Sequence, residues 1–233
     1  MSSAASIAIS VSVIVLIIFL VLLAGWKASK DREQAHCEPG MEPSEKRVAV
    51  YLNKALADCP NKLIINNLML PGIKDAKHTT QIDTLILCSK GVFIIETKSW
   101  NGRIYGNFNM KYWNVYYSDG SCHRMYNPVW QNYGHLKRVK QLIERDLGIP
   151  SESIRFIPMV IFESGDISHV RAEGCYGLKK AASIAQSYPD SLDEVTLDRL
   201  KSMFIHYKTH PVSQSYEHVQ YVKSIQDRND QMY

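Results

Sequence analysis

The chain has 233 residues, 45% of them hydrophobic and 21% charged, with a formal charge of +4. An apolar N-terminal stretch leaves about 200 residues, enough for one domain with its own core; twelve glycines and nine prolines exclude collagen-like and low-complexity chains. Five scattered cysteines (Cys37, Cys59, Cys88, Cys122, Cys175) without a C-x-x-C pair exclude a zinc ribbon and a disulfide scaffold and fit a reducing compartment.

From Ile7 to Trp26 the run IAISVSVIVLIIFLVLLAGW carries no charge. Twenty residues of helix span about 30 Å, the thickness of a bilayer's hydrocarbon core. A cleaved signal peptide would need a basic n-region, a shorter apolar core and a small-x-small cleavage site, which are absent here. The run therefore reads as an uncleaved single-pass anchor in the lipid bilayer. Lys27, Lys30 and Arg32 follow it, which predicts an N-terminus outside (1–6) and everything after the span (7–26) in the cytoplasm.

A polar linker is expected over 27–41 and a folded domain over 42–165, with a helical C-terminal extension over 166–233. The domain opens with a helix near Pro43-Ser44-Glu45, whose stripe is Val48, Leu52, Ala55 and Leu56. Apolar or alternating runs predict strands at Leu63–Leu68, Gln81–Leu87 and Val92–Lys98, then a hairpin from Arg103–Phe108 and Tyr112–Tyr117. Asn127-Pro128 opens a helix to about Asp146 that Gly148 and Pro150 stop. Ile154–Phe162 reads as a buried strand. Helices are predicted at Tyr176–Gln186, at Ser191–Lys208 behind a Ser191/Glu194 capping box, and at Tyr216–Arg228. The mixture of strands and helices predicts an α/β or α+β fold around one central sheet.

The chemistry concentrates in QIDTLIL-CSKG-VFIIETK. By the two-residue period of a strand, Val92, Ile94, Glu96 and Lys98 share one face. A tight turn centred on Ser89-Lys90 pairs Leu87 with Val92 and, counting back, sets Asp83 opposite Glu96. Opposed residues have Cβ atoms about 4.5–5.5 Å apart, so the two carboxylates repel unless a positive group lies between them. A hard divalent cation, Mg²⁺ or Mn²⁺, is the natural candidate, with phosphate oxygens and water completing its shell. Lys98 would point at the same spot and offset charge on a phosphorus centre. Glu45 lies on the inward stripe of the first helix and is expected to join Asp83 and Glu96 as a metal ligand. The competing reading is an ordinary ion pair, two residues apart, on a solvated strand.

Ser44–Leu52, Gln81–Leu87, Gly91–Gly106 (GVFIIETKSWNGRIYG), Trp113 and Asn127–Lys137 (NPVWQNYGHLK) together resemble the nuclease-related domain, NERD, of the PD-(D/E)xK restriction-endonuclease-like superfamily. The resemblance implies a core αβββαβ fold around a mixed sheet and Mg²⁺-dependent phosphodiester hydrolysis. It places Glu45, Asp83, Glu96 and Lys98 at active-site positions and adds Gln131 as a site contact. Ser44 departs from the glycine common before the helix glutamate.

Between Thr97 and Ile143 there are seven Lys/Arg and one acid, Asp119, together with ten of the chain's aromatics. Such a basic stretch suits a phosphate-tracking surface, with Arg103, Lys111, His135 and Arg138 as candidate nucleic-acid contacts. Most of the aromatics read as core or cross-strand pairs. On the helix after Asn127, the apolar stripe is expected at Val129, Tyr133 and Leu136, with Gln131, His135 and Arg138 opposite and His135 at the surface. The expected function is a membrane-anchored nuclease acting on DNA. The alternative is a catalytically idle nucleic-acid- or protein-binding module at the membrane.

Overall fold

The computed structural model describes residues 41–73 and 79–210. The run 7–26, nearly all of the expected linker and the expected helix at Tyr216–Arg228 lie outside them. Among the described residues no helix is long and apolar enough to cross a membrane.

Helix α1 (Pro43–Ala55) begins with proline at a position where the missing N–H costs nothing, and Glu42 and Glu45 form a capping box. Strands β1 (Leu63–Leu70), β2 (Thr80–Cys88) and β3 (Gly91–Lys98) follow as an antiparallel meander. The β2–β3 turn is the tight one, with Cys88 opposite Gly91 and Leu87 opposite Val92. Gly91 has φ +139°, and a Cβ there would meet the Arg155 carbonyl oxygen at 2.5 Å, so glycine is required. β4 (Arg103–Asn107) and β5 (Tyr112–Tyr116) form the expected hairpin, which an unforeseen strand, β6 (Cys122–Tyr126), extends.

Helix α2 (Pro128–Leu147) is capped by Asn127 and closed by Gly148 in the left-handed region, φ 62°. β7 (Phe156–Phe162) then pairs in parallel with β3. Two further strands, β8 (Asp166–Arg171) and β9 (Cys175–Gly177), stand where only helix was expected. Helices α3 (Leu178–Ser187) and α4 (Glu194–Thr209) complete the described chain. The cap of α4 is Asp193, whose carboxylate accepts the Thr196 N–H at 2.8 Å. Ser191, the expected cap, instead donates its hydroxyl to the Lys90 carbonyl at 2.9 Å. The four described cysteines are free thiols.

These elements make a mixed α/β fold with two sheets, ordered β1-β2-β3-β7-β9 and β6-β5-β4-β8. On one face of the first sheet, Val48, Leu52 and Leu56 of the α1 region and Ala181, Ala182 and Ala185 of α3 cover Phe93 and Ile95. On the other face, Val139, Leu142 and Ile143 of α2 and Leu200 and Phe204 of α4 cover Leu85, Leu87, Val92 and Ile94. β3 is covered on both sides, which explains its unbroken apolar run. The second sheet packs its inner face, with Ile104, Trp113 and Val115, against Val129, Val160 and Phe162.

Helix α2 turns inward only part of the expected stripe: Val129 is buried and Leu136 packs on the core, but Tyr133 does neither. Asn132 and His135 are buried, whereas Tyr133 is 55% exposed. Polar residues are tolerated there because they have partners: the Asn132 amide donates to the carbonyls of Ile94 and Met159, each at 3.0 Å, and so ties β3 to β7.

Asn127 sets where this helix starts. Its Oδ1 accepts the N–H groups of Val129 and Trp130, and its Nδ2 donates to the carbonyls of Asn107, Phe108 and Met110. Asn127→Ala is expected to lower stability by about 2–4 kcal/mol, from the lost cap and the orphaned carbonyls together. Asn127→Ser keeps a capping oxygen, without the amide donor and without a new charge, and should cost less. Urea denaturation decides: equal midpoints for the two variants would show that the cap contributes nothing.

Candidate active site

The paired ladder between β2 and β3 stops at Thr84 opposite Ile95. One step further, the register places Asp83 against Glu96, as the turn predicts. Here a side chain takes over from the backbone: Asp83 Oδ2 accepts the Thr97 N–H at 2.8 Å. Glu96 is 1% exposed, and both of its oxygens are occupied. Lys98 Nζ lies 2.6 Å from Oε1, and His135 Nε2 lies 3.2 Å from Oε2. The Lys98 ammonium also donates to Gln131 Oε1 at 3.2 Å and stands 5.7 Å from the centre of the Trp100 ring. His135 Nδ1 is in turn 2.8 Å from Thr80 Oγ1.

Strand and helix each contribute by their own period. Glu96 and Lys98, two apart, lie on one face of β3, and Gln131 and His135, four apart, lie on one face of α2. Glu45 arrives from elsewhere, since α1 packs on the opposite face of the sheet. Its place in the first turn still brings it within electrostatic range of both Glu96 and Lys98. Part of its carboxylate is used locally, accepting the Glu42 N–H at 3.3 Å. Arg47 pins α1 to the neighbouring strand through Glu163 at 2.6 Å, and the Glu163 N–H donates to the Lys98 carbonyl at 2.9 Å.

The two central carboxylates are pushed in opposite directions. Burial first, then the charge of Glu96, raises Asp83 to about 8 against an ordinary 3.8. Burial also opposes ionisation of Glu96, but Lys98 and then His135 outweigh it and hold Glu96 below the usual carboxylate range. Glu45 is raised, chiefly by burial.

The structure thus brings Glu45, Asp83, Glu96, Lys98 and Gln131 into one neighbourhood. Among the described residues, however, no three His, Cys, Asp or Glu side chains are gathered into a ready metal cage. The expected set of Asp83, Glu96 and Glu45 is not preassembled, because Glu96 is closed by Lys98 and His135, and Glu45 is partly spent on its own helix. The candidate nucleic-acid contacts divide. Arg103 and Lys111 are exposed. His135 is buried beneath the site rather than at the surface, and Arg138 turns to donate to the Pro71 carbonyl. The inward role of His135 and its support from Thr80 were missed from sequence. The available signal was its position one helical turn after Gln131.

The nuclease-related domain (NERD) family model matches residues 42–163. An uncharacterized protein of Bacillus anthracis is 39% identical over 71 residues, covering 30% of this chain and 32% of that protein. The chain therefore spans about a third of the length of that curated relative. The crystal structure of AF1548, a protein of unknown function, aligns with TM-score 0.28 and 13% identity over 65% of this chain and 66% of that one. Pyrococcus furiosus SfsA in complex with Ca²⁺ aligns with TM-score 0.26 and 17% identity over 70% and 52%.

Asp83 makes a pH signature. Its folded pKa is raised, so its contribution to stability is complete below the unfolded value of 3.8 and is lost as pH rises through about 8. Between those limits the loss is about 1.4 kcal/mol per pH unit. In chelator, the parent should therefore weaken from about pH 4 to about pH 8 relative to Asp83→Asn, which cannot ionise there. Parallel urea stabilities of the two proteins over that range would show that Asp83 is not the buried acid described.

Proposed function

Because the chain belongs to the nuclease-related domain family, we propose that it is a membrane-anchored nuclease that hydrolyses the phosphodiester bonds of DNA with Mg²⁺ or Mn²⁺. The observation that carries this reading is the convergence of Asp83, Glu96 and Lys98 at the end of β2 and β3, with the Lys98 ammonium held between Glu96 and Gln131. The donor set suits a hard divalent cation: Asp83 offers a carboxylate oxygen, Glu45 stands near, and Glu96 would join by exchanging its contact with Lys98 or His135. Held by Asp83 and Glu96, such an ion would supply Lewis-acid stabilisation of charge on the phosphoryl group.

The chain's own residues account for the rest. Two acceptors fix Lys98, so its ammonium is oriented before substrate arrives and needs little reorganisation to offset charge growing on the phosphate oxygens. Gln131 sets the direction of that ammonium from α2. His135, braced by Thr80, prevents Glu96 from rotating away. Exposed Arg103 and Lys111 supply cations for the phosphate backbone. The uncharged run 7–26, followed by Lys27, Lys30 and Arg32, supports an anchor with the domain on the cytoplasmic side.

One observation favours the alternative of an idle binding module: both Glu96 oxygens are already satisfied by Lys98 and His135. Activity separates the two. The full chain in detergent, given DNA and Mg²⁺ or Mn²⁺, should cleave, and Lys98→Ala and Glu96→Gln should each lower the rate at least about a hundredfold. Equal cleavage by parent and variants would remove these residues from the chemistry. Binding of DNA without cleavage under either metal would leave the idle module.

A further inference from the structure

The second sheet has an outward face that the core does not use and of which the nuclease reading uses only Arg103. Register places Arg103 opposite Tyr116, Tyr112 opposite Tyr126, and Asn114 opposite Arg124 on that side. β8 adds His169 beside Tyr105 and Arg171 beside Asn107. Tyr116 and Tyr126 are each 43% exposed. The His169 ring lies flat on Tyr105, with centroids 4.3 Å apart and planes 9° apart, while the Arg124 guanidinium sits 4.9 Å from the centre of the Tyr112 ring. The strands put one acid on this face, Asp166 opposite Arg103, against three arginines.

We propose that this face binds single-stranded DNA, with bases stacking on the rings of Tyr116, Tyr126 and His169 and phosphates following Arg103, Arg124 and Arg171. Paired bases hide their faces inside the duplex, so rings standing on a flat sheet gain stacking only from unpaired bases. Guanidinium groups beside the rings both meet phosphate and add cation–π attraction. The preference for single strands comes from the face itself; that the polymer is DNA rests on the nuclease reading above.

Binding is measured by fluorescence anisotropy on the full chain in detergent and chelator, so that no strand is cut. The probes are a labelled single strand of about twenty nucleotides and the same sequence as duplex. The parent should bind the single strand at least about tenfold more tightly than the duplex. Tyr116→Ala with Tyr126→Ala should weaken single-strand binding about tenfold or more, and Tyr116→Phe with Tyr126→Phe, which keeps the rings, should restore it. Should the alanine protein fail to fold, Arg103→Gln with Arg124→Gln decides, by lowering the salt slope by about 1.4. A duplex preference, unchanged binding by the folded alanine variant, or an unchanged salt slope overturns the proposal. Tyrosine-dependent single-strand binding by a protein that never cleaves DNA would sink the catalytic reading and keep this one. Cleavage with tyrosine-independent binding would do the reverse.

Discussion

The burial of one carboxylate organises this molecule. Glu96 lies near the end of β3 with 1% of its surface exposed and is held ionised by Lys98 at 2.6 Å and His135 at 3.2 Å. An ionised acid at that depth costs several kcal/mol unless it is paired on every side, and removing one partner leaves the charge stranded. Lys98 can serve only if β3 remains regular for two more residues. His135 can serve only if α2 lies across β3 with that face inward, which its Asn127 cap and the Asn132 bridge to Ile94 and Met159 enforce. The packing of helix on sheet and the geometry of the site are therefore one requirement.

Asp83 shows the complementary behaviour. It sits against the same backbone, yet it is pushed to about 8 because its nearest strong influences are burial and the negative Glu96. Its neighbouring N–H from Thr97 and the more distant Lys98 only partly compensate. Two acids on adjoining strands thus settle into different protonation states, one with a fixed cation beside it and one without. Any added cation would compete with Lys98 for Glu96 and with a proton for Asp83.

Most of this was legible where periodicity and turn chemistry act alone. Counting outward from Ser89-Lys90 gave the Asp83–Glu96 register because a two-residue turn leaves no freedom, and Gly91 admits no other residue. Asn127-Pro128 and Gly148 marked α2 for the same local reasons. What failed depended on partners distant in sequence. β6 has exposed residues at four of its five positions and no apolar alternation, so only its ladder with β5 makes it a strand. β8 and β9 are short and half polar, and they exist because β4 and β7 offer edges with unpaired backbone groups. Val129 and Leu136 of α2 turn inward as expected; Tyr133 looked like core and is exposed, whereas His135 looked like surface and lies buried, as does Asn132. The burial of Asn132 and His135 follows from carbonyls and a carboxylate supplied by β3 and β7.

The two faces of the second sheet separate folding from recognition. Its inner face supplies the packing, with Trp113 fully buried and stacked on Phe162 at 6.3 Å. Cross-strand pairs on the outer face, such as Tyr112 with Tyr126, add about 0.2–1 kcal/mol each, and threonine or glutamine pairs would keep the sheet solvated as well. Folding therefore makes little demand for rings interleaved with arginines on that side. Chain connectivity adds a second consideration. β4 begins five residues after Lys98, and α2, which carries Gln131 and His135, begins two residues after β6 ends. The sheet is thus joined directly to both elements that build the carboxylate–lysine cluster. A strand held on the outer face would lie on a sheet joined to that cluster by only a few residues at each connection.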